Sequence, residues 1–103
     1  MTDNYKQPED CATMLDVRAG VDATDQAIMD LIERRYGYMR AAARIKPGRE
    51  SVRDEPRKAA VIAAVRRRAE EAGLPAAEIA AMWEQLVESS IAYELVEWDR
   101  LRS

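Results

Sequence analysis

The residues best placed to do chemistry are charges that fall on apolar helical stripes. Arg35 follows Leu31 by four residues and Ile28 by seven, and Met39 comes four later, so Arg35 lies on the core-facing side of a helix. Lys46 comes eleven residues after Arg35, about 20° away on the helical wheel, and points the same way. A single cation at such a position commonly snorkels to solvent. Two on one face are harder to dismiss, because buried unpaired charge is costly. They need an anion. Further along, Ser90 follows Leu86 by four residues and Trp83 by seven, and Glu94 follows Ser90 by four, so both polar residues continue a buried stripe. Glu94 either pairs with Arg35 or Lys46, or sits protonated as a hydrogen-bond donor. The spacing leaves both readings open.

Two further cations extend the set. Arg18 lies between Met14 and Val21, about 25 Å before Arg35 along a straight helix. That is too far to share a small ligand within one chain, but in an antiparallel dimer the N-terminal half of one long helix crosses the other chain's site. Arg57 opens a later helix, where the Pro47–Asp54 loop would cover a pocket; first-turn solvation explains it equally well. Arg66, Arg67 and Arg68, followed by Glu70 and Glu71, read as a solvated face. Met14, Met29, Met39 and Met82 fit core packing. The glycines match neither a phosphate loop nor a dinucleotide fingerprint.

Composition removes whole classes of chemistry. The chain has 103 residues, one domain's worth, and no His, which excludes Ser–His–Asp and Cys–His nucleophile systems and His-ligated metals. Its one cysteine, Cys11, excludes an internal disulfide and any multi-cysteine metal site, and it has no imidazole base beside it. No metal or cofactor is expected. Sixteen basic against 19 acidic residues give a net charge of −3, unlike the basic excess of nucleic-acid modules. No apolar run reaches the roughly 18 residues of a membrane span. The stretch from Met1 to Asp10 is polar and partly acidic, unlike a leader peptide, so the expected location is cytoplasmic.

The elements that must position these residues are helices. Pro8, Pro47, Pro56 and Pro75 separate three segments of helical period, with no strand-like alternation. The first runs from about Thr13 to Ile45, with a stripe of Met14, Val17, Val21, Ile28, Leu31, Ile32, Met39, Ala42 and Ile45. The second opens on an Asp54 N-cap with Pro56 in its first turn, buries Ala60, Val61, Ile62, Val65 and Ala69, and closes at Gly73. The third follows Pro75 and runs to about Leu101, with Ile79, Met82, Trp83, Leu86, Val87, Ile91, Trp98 and Leu101 inward. An arm over residues 1–12 precedes this helical domain over 13–103. The first helix would be roughly 48 Å long, whereas a compact globule of this size has a radius of gyration of about 13 Å. A partner chain covering its stripe is the simplest remedy, so the expected architecture is an all-α, three-helix chain in an intertwined homodimer. The stripes hold no regular a/d heptad, which disfavours a plain coiled coil.

With those residues in view, the chain resembles the small all-helical chorismate mutases, including the isochorismate pyruvate lyases. The resemblance runs over about residues 8–101, through Val17-Arg18, Asp22, Asp25, Leu31-Ile32-Glu33-Arg34-Arg35, Lys46, Asp54-Glu55-Pro56-Arg57, Gly73-Leu74, Ser90 and Glu94. It implies the chorismate mutase II fold, an intertwined dimer with shared active sites and a dicarboxylate substrate. It implies that Arg35 and Arg57 bind substrate carboxylates, as does Arg18 of the partner subunit. Lys46 would donate to the ether oxygen of the breaking bond, and Glu94, at a position held by Gln or Glu in the family, would donate from the other side. Asp54 and Ser90 match polar positions lining mutase pockets. Lys58 departs from the pattern, since many mutases have there a Glu that contacts the substrate hydroxyl. The Pro8-Glu9-Asp10-Cys11 start is more like the lyase branch.

The implied chemistry suits the composition. Rearranging chorismate to prephenate needs no proton transfer, nucleophile or metal, only restraint of the compact conformer and donors aimed at the ether oxygen. The expectation is therefore chorismate mutase, on the strength of Asp54, Ser90 and Glu94. Isochorismate pyruvate lyase is the alternative within the family, and a non-catalytic helical dimerisation or regulatory module the alternative outside it. Such a module would have no use for buried cations.

Overall fold

The computed structural model describes residues 5–103. Among them the chain is all-helical, with α1 at Met14–Ile45, α2 at Glu55–Glu71, α3 at Ala76–Leu101, short 3₁₀ turns at Pro8–Asp10 and Arg49–Ser51, and no strand. The three expected helices are met to within a residue or two at each end. The chain divides into two compact units, one ending at Tyr36 and the other Gly37–Ser103, so α1 contributes to both.

In the first unit, α1 starts on a reciprocal cap. Thr13 Oγ1 accepts from the Asp16 N–H at 3.2 Å, while Asp16 Oδ2 accepts from the N–H groups of Thr13 and Ala12 at 3.3 and 3.0 Å. The bond from Ala12 is foremost in holding the Asp16 carboxyl below its ordinary range. Lys6 reaches the same oxygen at 3.3 Å and so ties part of the arm to the helix start. Of the arm placed over residues 1–12, residues 1–4 lie outside the described residues.

Three methionines are not in the core. Met14, Met29 and Met82 are 58%, 57% and 60% exposed, and only Met39 is half-buried. Met14 and Met29 share the surface of α1 with the exposed side chains of Leu15, Val21, Ile28 and Leu31, which no described residue covers. Met82 is one 100° step from Trp83, which packs inward, and that step turns it off the buried face of α3. The same geometry exposes Ala60 beside half-buried Val61 and Ile62 on α2.

The second unit is built around α2 packed on α3. Asp54 caps α2 as expected, its side chain accepting from the Arg57 N–H at 3.0 Å, with Pro56 in the first turn. At the far end Gly73 adopts φ 70°, and the N–H groups of Leu74 and Gly73 return to the carbonyls of Ala69 and Glu70 at 2.9 and 3.1 Å. These paired bonds need a left-handed residue, which glycine adopts without steric cost. The tight turn sends α3 back along α2. Val87 and Ile91 of α3 then bury against Val52, from the loop before α2, with Val61, Ile62, Trp83, Leu95 and Trp98 packed around them. That core fixes the phase of α3 and turns Ser90 and Glu94 inward.

Candidate active site

Glu94 is 4% exposed and Ser90 3%, polar side chains on the buried face of α3 where the helical spacing puts them. Ser90 satisfies its hydroxyl by donating to the Leu86 carbonyl one turn earlier, at 2.7 Å. Glu94 finds Lys46. The ammonium lies 2.8 Å from Glu94 Oε2 and 3.3 Å from the Val52 carbonyl oxygen, to which it donates. The ion pair is close but is not an aligned hydrogen bond, so Oε2 keeps unused acceptor capacity in a buried position. Of the two pairings open to Glu94, the structure makes the one with Lys46.

Lys46 is held from its other end as well. It is the first residue after α1, and its carbonyl oxygen accepts from Trp98 Nε1 and from Arg102 Nη2, each at 2.9 Å. Helical spacing gave no reason to single out either residue for the site. The available signal was their register, since Glu94, Trp98 and Arg102 recur every four residues on one face of α3.

Asp54 and Arg57 meet at the first turn of α2, where the Arg57 side chain is exposed. Val52, which accepts from Lys46, is two residues before Asp54, so the chain passes directly from the Lys46–Glu94 pair to this cap. Arg53 anchors the passage to α3 by a two-pronged contact with Glu88, at 2.7 and 3.0 Å. Arg53 first and Lys58 second hold the Glu88 carboxyl down to about 2. Lys58 itself is turned onto Glu84 and Glu88, 2.5 Å from each, and Glu84 first and Glu88 second raise its affinity for its proton. Its charge is thus used within the α2–α3 contact.

Arg18 and Arg35 belong to the other unit, where Arg18 is exposed and Arg35 half-buried on α1. Two largely apolar hollows, one beside Cys11 and Val21 and one beside Leu74 and Trp83, contain none of the candidate residues. Among the described residues no group of acidic, cysteine or histidine side chains is disposed to hold a metal ion. Among the described residues no helix is long and apolar enough to cross a membrane.

A buried carboxyl thus faces a lysine, next to a capped helix that carries an exposed arginine. The family model for chorismate mutase type II matches residues 17–95, from the residue before Arg18 to the residue after Glu94. The chain belongs to the chorismate mutase type II family. It is also 33% identical, over 97 residues, to the isochorismate pyruvate lyase of Pseudomonas aeruginosa, across 94% of this chain and 96% of that protein. The chorismate mutase family match thus takes in Arg18, Arg35, Lys46, Asp54, Arg57, Ser90 and Glu94 together.

Proposed function

We propose that this chain is a chorismate mutase, converting chorismate to prephenate. The observation that carries the reading is the buried Glu94 against Lys46, a carboxyl and an ammonium brought together by α3 and the end of α1. In the rearrangement one C–O bond breaks as one C–C bond forms within the same molecule, and negative charge grows on the ether oxygen. The Lys46 ammonium donates to that oxygen, and Glu94, carrying a proton, donates from the other side. The contact strengthens as charge develops, which is what lowers the barrier. Arg35 and Arg57 take the two carboxylates and hold the compact conformer. Ser90 and Asp54 line the pocket.

The active unit is an intertwined homodimer, in which Arg18 of the partner subunit completes each site. The exposed side chains of Val21, Ile28 and Leu31 on α1, 52%, 47% and 57% accessible in the single chain, support a covering partner.

A second reading, isochorismate pyruvate lyase, is favoured by the end-to-end similarity to the Pseudomonas aeruginosa enzyme. Loss of pyruvate from isochorismate is also pericyclic and uses the same cations. Offering purified protein chorismate and isochorismate separately, and measuring prephenate and salicylate, distinguishes the two. Turnover of neither by a folded dimer removes both.

A further inference from the structure

The last carbonyls of a helix have no partner within it. At the end of α1 they are collected by one side chain from the far end of the chain. Arg102 Nη1 donates to the Ala43 carbonyl at 3.0 Å, and Nη2 to those of Arg44 and Lys46 at 3.4 and 2.9 Å. The guanidinium lies 4.1 Å over the Trp98 ring and also donates to the Trp98 carbonyl at 3.3 Å. The Trp98 indole N–H adds a second bond to the Lys46 carbonyl, at 2.9 Å. A cation at a helix C-terminus is favoured by the helix dipole, but a lysine in place of Arg102 would lack the planar fork that reaches several carbonyls at once.

This grip falls on the residue that the proposed chemistry most needs placed. Lys46 is followed by Pro47 and Gly48, so the helix does not continue to fix it. Its ammonium is met by Glu94, and its carbonyl by Trp98 and Arg102, so three successive turns of one α3 face hold the two ends of a single residue.

We propose that Trp98 and Arg102 are positioning residues for Lys46, locking its backbone so that its ammonium stays aimed at the reacting oxygen. The inference rests on Lys46 acting in turnover, and it extends the support of the site to the C-terminal end of α3. Loss of either bond would let the lysine swing without removing any group that touches substrate. Such a loss lowers kcat more than it raises KM.

The test compares Arg102→Met and Trp98→Phe, which remove donors and keep apolar bulk, in the wild-type and Lys46→Ala backgrounds. In the wild-type background each is expected to lower kcat about tenfold with KM changed less than about twofold. In the Lys46→Ala background, assayed with enough protein to follow the residual rate, neither should lower kcat further. Unchanged kcat in the first background, or the same drop in both, overturns the proposal. Amide exchange reads the grip without activity, and should rise at residues 43–52 in Arg102→Met while residues 80–91 stay protected. Unchanged exchange at 43–52 also overturns it. If the wild-type protein turns over neither substrate, the proposed function falls, and exchange alone decides whether the grip exists. Should Arg102→Met fail to fold, Trp98→Phe, which keeps an aromatic ring at this half-buried position, carries the same comparison.

Discussion

Lys46 and Glu94 are paired at 2.8 Å but are unequally buried, with the lysine side chain 29% exposed and the glutamate 5%. Removing one partner leaves the other with unlike consequences. Without Lys46 a buried carboxyl loses its counter-charge; without Glu94 a partly solvated ammonium is rehydrated.

Lys46→Ala should therefore affect turnover more than binding. Its contact to the ether oxygen is strongest in the transition state, so kcat should drop by about a hundredfold or more while KM moves little. Steady-state kinetics checks this. A variant altered only in KM would mean that Lys46 binds the ground state and does not act on the transition state.

On the proposed reading, Arg35→Ala removes a charge-assisted contact to a substrate carboxylate, of roughly 1.5–3 kcal/mol. The expected loss in kcat/KM is about ten- to 150-fold. Arg18→Ala should behave similarly, but with the defect in the neighbouring site. Mixing and re-annealing Arg18→Ala chains with Arg35→Ala chains should restore one intact site in each heterodimer. No recovery, or a helical monomer in sedimentation at micromolar concentration, would rule out shared sites.

How much of this was legible in the sequence depended on whether one helix decided the matter. The bounds of α2 were readable because Asp54 and Gly73 act locally, one as an N-cap and the other in a left-handed turn. Ser90 and Glu94 were readable as buried because α3 presents a single inward face. The exposure of Met82 was not, since an apolar side chain one step off that face has the same residue type as one on it. The Thr13–Asp16 cap was a missed local signal, as Asp there does what Glu more often does. The links from Lys46 to Trp98 and Arg102 join residues more than 50 positions apart, and no periodicity within one helix reports such a pairing. Lys58 was legible as a departure from the family pattern, but only the fold reveals Glu84 and Glu88 as its partners.

Acid stability should follow Glu88. Arg53 and Lys58 hold its carboxyl at about 2 in the folded chain, against about 4.3 when unfolded. As pH falls, the unfolded state takes up this proton first, so the stabilisation is intact above about pH 5 and lost between there and about pH 2. Asp16 and Asp99, also held low, by the Ala12 N–H and Arg49 respectively, act in the same direction. Melting temperature should therefore drop across that window. Glu88→Gln should melt lower at neutral pH and show a shallower acid slope. An unchanged slope would mean that the Arg53–Glu88–Lys58 contacts do not persist in solution.

Glu94 is the residue at which a donor role and a structural role part. An ionised carboxylate opposite a developing oxyanion repels it and has no proton to donate. Glu94→Gln keeps a donor of the same shape, so if Glu94 donates to the ether oxygen its kcat should stay within about threefold of wild type or rise, whereas Glu94→Ala, which removes the donor, should lower kcat more than it raises KM. Steady-state kinetics of the two variants checks this. If Glu94 serves only as a structural counter-ion for Lys46, which it meets at 2.8 Å, the glutamine variant loses the charge that restrains the lysine, and its rate falls as far as that of the alanine variant.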